Sequence, residues 1–216
     1  MLETHVLEAK KQLRRSAREA REAIAPAAAA GAADAAAHHF LTAPACAAAR
    51  TVALYAPIRG ELHTAPLARI LVGAGVRVAY PRVVAAEKQL AFHEVEIAGD
   101  GRPMGLYPGR FALFEPPADA ASVSLDAIDL FVVPGLAFDP TGARLGWGQG
   151  YYDHTLARAP VAVRVGYCYA CQIVPEVPHG PGDVAMDLLV CEDGAGRTDD
   201  DRGRSAGAGR AEMSGP

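Results

Sequence analysis

Three glycines at alternate positions, Gly146, Gly148 and Gly150, stand between Arg144 and Asp153. A loop without Cβ atoms can close tightly around a ligand, and its exposed N–H groups can cradle phosphate oxygens. A helix beginning near Tyr151 would add orphan N–H donors and the positive end of its dipole. Arg144 is a cation suited to phosphate and Asp153 an anion suited to a metal ion. Together they describe a nucleotide-phosphate site, although the glycines alone fit a tight strand-to-helix turn equally well. The pattern is not a P-loop, because no Lys and Ser/Thr follow Gly150. Nor is it the dinucleotide fingerprint, whose third glycine falls three residues after the second.

Two further groups could carry chemistry. Lys10, Arg14, Arg18 and Arg21 form a basic stripe along the first predicted helix. Such a stripe suits a polyphosphate or RNA, yet its ordinary reading is a solvated face balanced by Glu19 and Glu22. A net charge of −4 and the lack of interleaved aromatics speak against nucleic acid. Glu61, in the loop Tyr55–Thr64, could be a general base, a metal ligand or simply a carboxylate at a helix start. His63 is expected at the surface. Cys168 and Cys171 have CxxC spacing, but no second pair completes a zinc site and Pro175 leaves little room for a redox helix. The four cysteines are therefore expected to be reduced and ordinary.

The elements that must position these residues follow from periodicity. Residues 2–24 form an amphipathic helix with Leu2, Val6, Ala9, Leu13, Ala20 and Ile24 on its apolar face. An alanine-rich helix runs from Pro26 to about Phe40. From Thr51 short apolar strands alternate with helices: strands at 51–55, 76–80, 89–95, 130–133, 161–165 and 186–190, helices at 65–72 (capped by Gly73) and 151–159. This alternation predicts an α/β fold, a three-layer arrangement with a mostly parallel sheet and helices on both faces, preceded by N-terminal helices. Ligands of such sheets bind beyond the carboxyl ends of strands, where the glycine loop falls. Residues 99–117 are expected to be a surface loop and 193–216 a disordered Gly/Ala/Asp/Arg-rich tail after a single domain over 1–192. Neither a signal segment nor an apolar run of about 20 residues, enough to span a bilayer, is present. A cytoplasmic protein is expected.

The run from Pro134 to Asp153, with Pro-Gly-x-x-Phe-Asp and then Arg-Leu-Gly-x-Gly-x-Gly-Tyr-Tyr-Asp, resembles the signature of the 5-formyltetrahydrofolate cyclo-ligases. Lys10-x-x-Leu13-Arg14, Glu61-x-x-Thr64 and Asp183-x-x-x-Asp187 resemble three further elements of that family, so the likeness spans most of residues 6–192. The resemblance implies conversion of 5-formyltetrahydrofolate to 5,10-methenyltetrahydrofolate with ATP as co-substrate and Mg²⁺ as cofactor. It assigns Lys10, Arg14, Arg144, Gly146, Trp147, Gly148, Gln149, Gly150, Tyr151 and Tyr152 to ATP. Ala56, Glu61, Tyr151 and Tyr152 fall to the folate, Arg144 and Tyr152 to the reacting centre, and Asp153 and Asp183 to the metal. Asp187 is expected to be structural and Gln172 falls where relatives keep a glutamine. Some members have basic residues where Trp147 and Gln149 stand, which leaves side-chain contacts to phosphate from these two open. A monomer acting on small molecules, without nucleic acid or membrane, is expected. The alternatives are a non-catalytic folate- or nucleotide-binding relative, or an ATP-dependent enzyme acting on another amide.

Overall fold

The central strands are short and nearly continuous apolar runs, so each offers both faces to a core. The computed structural model, which describes residues 2–110 and 113–198, covers both faces with helices. The chain opens with α1 (Leu2–Glu22), α2 (Pro26–Thr42) and α3 (Pro44–Ala48). Next come β1 (Thr51–Ala53), α4 (Ala65–Gly73), β2 (Arg77–Val84) and β3 (Gln89–Glu94). Short strands β4 (Tyr107–Pro108), β5 (Phe114–Glu115) and β6 (Ser122–Val123) lead to β7 (Leu130–Val133). A hairpin of β8 (Ala137–Phe138) and β9 (Arg144–Leu145) precedes α5 (Tyr151–Leu156). The last strands are β10 (Val163–Tyr167), β11 (Leu188–Cys191) and β12 (Gly194–Arg197).

Among the described residues, eight strands form one sheet in the order β12-β11-β10-β7-β1-β2-β3-β6. From β11 to β2 all neighbours are parallel, and the remaining edge pairings are antiparallel. Val52, Val78, Leu130, Val132 and Val165 face the core shared with Ala36, Ala37 and Phe40 of α2 and Leu67 and Leu71 of α4. The residues between them, Ala53, Ala79, Phe131 and Val133, face a second core closed by Leu156 and Ala159. The three-layer expectation holds. A third, smaller core sets Ala17 of α1 against Leu136, Leu145 and Val177 of the loops.

Four local expectations need correction. On α1, Ala9 and Ala20 are exposed, and the inward stripe instead runs through Leu13, Ala17 and Arg21; the Leu2 side chain lies outside the described residues. Arg21, expected on a solvated face, is only 4% exposed, because this helix packs on polar loops rather than on the sheet. Helix α4 runs through Gly73, and the left-handed residue that ends it is Gly75, at φ 77°. Residues 194–197 are not disordered tail: β12 pairs antiparallel along β11, and the Thr198 hydroxyl donates to the Met186 carbonyl at 2.7 Å. An edge strand held by backbone bonds needs no apolar side chains, so its Gly/Ala composition disguised it. The rest of that tail, residues 199–216, lies outside the described residues. The described residues of 99–117 are mostly irregular as expected, apart from the β4–β5 pairing.

Close packing fixes Gly166 in β10. A Cβ there would meet Leu189 Cδ2 and Phe138 Cε1, each at 2.7 Å. Gly166→Ala should cost about 1–3 kcal/mol of stability, the usual effect of overpacking, seen as a lower urea midpoint. An unchanged midpoint would mean that the Phe138 ring moves aside freely.

Candidate functional site

Beyond the carboxyl ends of β1 and β7 lies a cavity of about 550 Å³. Every residue that the sequence proposed for the site lines it. Lys10 and Arg14 come from α1, Ala56 and Glu61 from the loop after β1, and Arg144 from β9. Gly146, Trp147, Gly148, Gln149 and Gly150 come from the glycine loop, Tyr151, Tyr152 and Asp153 from α5, and Asp183 from the loop before β11. Asp187 lies elsewhere: its carboxylate receives the Arg164 backbone N–H at 2.8 Å and pairs with that guanidinium at 2.9 Å, supporting β10 and β11 as expected.

Arg144 is delivered by a rigid turn. Asp139, 2% exposed, accepts from Thr141 N, Thr141 Oγ1 and Ala143 N with one oxygen and from Val177 N with the other. These bonds close the β8–β9 hairpin that sets Phe138 opposite Arg144. The Arg144 guanidinium, 8% exposed as a residue, donates to Asp153 Oδ1 at 2.9 Å and to the Pro134 carbonyl at 3.2 Å. It also lies 5.5 Å from the Tyr152 ring centroid. Its Nε is buried and has no partner among the described residues. The Tyr152 hydroxyl is pushed to a higher pKa by burial, with Glu61 adding to the effect, so it stays protonated. Helix α5 spans only six residues, so its dipole contributes little to the loop before it.

The loop after β1 is bound at both ends. Tyr55 Oη donates to the Leu62 carbonyl at 2.6 Å, and Thr64 Oγ1 to the Tyr55 carbonyl at 2.9 Å. Between them Ile58–Glu61 is a tight turn, Glu61 N donating to Ile58 O at 2.9 Å with positive φ at Arg59 (47°) and Gly60 (75°). Glu61 emerges 4% exposed, its two oxygens accepting from Ile58 N at 3.1 Å and Trp147 Nε1 at 3.2 Å. Burial raises its pKa against the opposing pull of those donors and of Arg21 and Arg59.

Helix α1 closes the cavity with its cations. Lys10 Nζ pairs with Asp183 Oδ2 at 2.6 Å, and Arg14 Nε donates to the Gly146 carbonyl at 3.0 Å. Burial works to raise the Asp183 carboxyl, but Lys10, the Gly180 N–H and Arg144 outweigh it and hold it below the usual carboxylate range. Arg21, deeper along the helix, donates to Arg59 O at 2.8 Å and to Gly135 O at 3.5 Å. Gln172 binds the Gly135 and Leu136 carbonyls at 2.8 and 3.0 Å, so its role is to brace the Pro134–Leu136 loop. Sequence reasoning missed Arg59 and Asp139 and misplaced Arg21. The Arg-Gly pair at 59–60, a recognisable tight-turn dipeptide, was the available signal for the first. His63 is exposed as expected, and the four cysteines are free thiols.

The family profile described as the 5-formyltetrahydrofolate cyclo-ligase family matches residues 6–192. The chain belongs to this family. The cyclo-ligase of Escherichia coli (strain K12) is 33% identical over 164 residues, covering 72% of this chain and 85% of that protein. The cyclo-ligase of Mycolicibacterium smegmatis is 34% identical over 144 residues, covering 65% and 73%. Among solved structures, the 5,10-methenyltetrahydrofolate synthetase of Aquifex aeolicus superposes with a TM-score of 0.74 at 28% identity, over 95% of this chain and 96% of that one. The Mycoplasma pneumoniae synthetase, with a TM-score of 0.67 at 22% identity over 85% and 98%, supports the cyclo-ligase fold alone. Of the basic stripe on the first helix, Lys10 and Arg14 line the cavity, Arg21 is buried and Arg18 is exposed.

The raised pKa of Glu61 has a consequence for stability. Between the ordinary carboxylate range and the raised value, the folded chain binds more protons than the unfolded one, so stability falls as pH rises. Glu61→Gln removes this loss. The ligand-free variant should match or exceed the parent in stability at pH 7, and its advantage should shrink as pH falls toward about 4. Paired urea titrations across that range are the check, and a pH-independent difference would count against a buried, strained carboxylate.

Proposed function

We propose that this cyclo-ligase converts 5-formyltetrahydrofolate to 5,10-methenyltetrahydrofolate, consuming ATP with Mg²⁺ and releasing ADP and phosphate. The observation that carries the reading is one cavity in which Lys10, Arg14 and Arg144 border the glycine loop while a buried Glu61 stands ready as an acceptor. Ammonium and guanidinium groups are suited to a polyphosphate, and the partnerless Arg144 Nε is a donor that a phosphate oxygen would satisfy. A carboxylate suits the amino and ring N–H groups of a pterin, with Ala56 beside it. Tyr151 and Tyr152 lie where the two substrates would meet.

The chemistry needs positioning and charge neutralisation more than a protein nucleophile. The formyl oxygen attacks the terminal phosphorus of ATP and ADP leaves. N10 of the folate then attacks the activated formyl carbon, the C–O bond breaks with release of phosphate, and N10 gives up its proton. Arg144, Lys10 and Arg14 hold the phosphates in line, and Tyr152 packs at the reacting centre. Among the described residues no group of three or more His, Cys, Asp and Glu side chains suits a metal. Magnesium, however, is content with one or two carboxylates plus water and phosphate. Asp153 and Asp183 each use one oxygen in the bonds described, leaving Asp153 Oδ2 and Asp183 Oδ1 without a partner among the described residues. These two would hold the ion, which when bound supplies neutralisation of phosphate charge.

A non-catalytic binding relative is the rival reading, motivated by Trp147 and Gln149 in place of basic residues. Lys10, Arg14 and Arg144, which stay beside the glycine loop while the Trp147 indole N–H turns to Glu61, favour turnover. A cytoplasmic monomer is part of this reading, and no described helix is long and apolar enough to cross a membrane. Purified protein with 5-formyltetrahydrofolate, ATP and Mg²⁺ should produce the near-ultraviolet absorbance of methenyltetrahydrofolate, with no rise when any component is omitted. Folate binding without turnover would establish the rival. Arg144→Ala should lower kcat/KM for ATP about tenfold or more, ~1.4 kcal/mol of transition-state stabilisation; unchanged kinetics would remove Arg144 from the phosphate site.

A further inference from the structure

Glu61 and the glycine loop follow different strands, and one side chain ties them. The Trp147 indole N–H donates to Glu61 Oε1 at 3.2 Å, while Oε2 takes the Ile58 N–H at 3.1 Å. Half of the orientation of this buried carboxylate is therefore set by its own loop and half by the glycine loop. The indole itself is clamped. The Arg59 guanidinium lies 4.8 Å from its ring centroid and that of Arg21 5.5 Å, and Arg21 donates to the Arg59 carbonyl at 2.8 Å. Arg59 reaches the ring from a left-handed backbone at φ 47°, an unfavourable conformation for a residue with a side chain.

On its other side, the backbone carrying Trp147 is gripped by the cations of the cavity. Arg14 Nε donates to the Gly146 carbonyl at 3.0 Å, and Arg144 Nη1 packs so closely that a Cβ on Gly146 would lie 2.8 Å from it. A polyphosphate that draws either guanidinium onto itself pulls on the peptide next to the indole.

We propose that Trp147 is a positioning residue that couples the two substrate sites, resetting the Glu61 carboxylate when nucleotide engages Arg14 and Arg144. What the sites bind rests on the cyclo-ligase reading; the link between them rests on the geometry. Coupling of this kind is reciprocal, so each ligand changes the affinity of the other by the same factor.

Calorimetry of 5-formyltetrahydrofolate, with and without a non-hydrolysable ATP analogue plus Mg²⁺, measures that factor. In the parent it should be about fivefold or more. In Trp147→Phe, which keeps a ring but loses the N–H, it should fall to within about twofold of unity however the separate affinities move. A merely structural role would weaken both ligands and leave the ratio intact. Trp147 is the sole tryptophan, so the ¹⁵N-labelled parent gives one indole N–H cross-peak, a readout that no variant's folding can spoil. That peak should shift when the analogue alone is added. A parent ratio near unity, a ratio retained in Trp147→Phe, or an unmoved peak in nucleotide-saturated protein would each overturn the coupling while leaving the cyclo-ligase reading intact. Failure of the parent to bind either ligand would overturn both.

Discussion

A helix that turns Lys10, Arg14 and Arg21 toward the protein must find them counter-charges, dipoles or aromatic faces. Removing a partner from a buried charge costs several kcal/mol, about 3–5 for a broken ion pair. The partners that α1 finds all belong to loops: Asp183 before β11, Gly146 in the glycine loop, Gly135 after β7 and Arg59 after β1. Satisfying the cations thus fixes four loops relative to one another. The apolar contribution of α1, Ala17 and part of Leu13 against Leu136, Leu145 and Val177, is small by comparison. The helix is a polar clasp over the strand ends more than a layer of the core.

The same constraint explains why carboxylates stand beside cations in the cavity. Lys10 faces Asp183 and Arg144 faces Asp153, so the proposed phosphate site carries carboxylates beside its cations. Without ligand these pairs keep the cations from repelling one another in a partly dry space. A polyphosphate accompanied by a divalent ion could exchange with both pairs at once, anion for carboxylate and metal for cation. A polyphosphate alone would leave two carboxylates facing added negative charge.

Much of this was legible because strands and helices announce themselves by periodicity. The central strands and α2 were found within a few residues, and the glycine loop was placed correctly at a strand end. The inward turn of Arg21 on α1 was not legible: a stripe of Lys and Arg looks solvated until something polar is known to pack on it, and the loops that do so are distant in sequence. Asp139 was hidden for a related reason. It sits inside the signature run, where a carboxylate looks chemical, yet its two oxygens are spent on three bonds within the turn and one to Val177 N. Strand β12 was missed because backbone pairing leaves no trace in Gly194-Ala195-Gly196.

The glycines themselves show how a correct motif can carry an incomplete reason. Their spacing suggests a backbone bared for phosphate, but two of the three also stand close against neighbouring side chains. A Cβ at Gly146 would lie 2.8 Å from Arg144 Nη1, and one at Gly148 would lie 3.3 Å from Arg14 Nη2 on a backbone at φ 93°. Gly150, at φ 74°, supplies the left-handed residue from which α5 starts. Glycine here therefore serves a left-handed backbone at two positions and the close approach of two guanidinium groups, whatever its N–H groups later bind. Trp147 and Gln149 occupy the positions between, where a side chain can leave the crowded edge; Gln149 is exposed, and Trp147 crosses to Glu61. Alternation of glycine with side chain divides the loop into an edge that admits cations and an edge that reaches across the cavity.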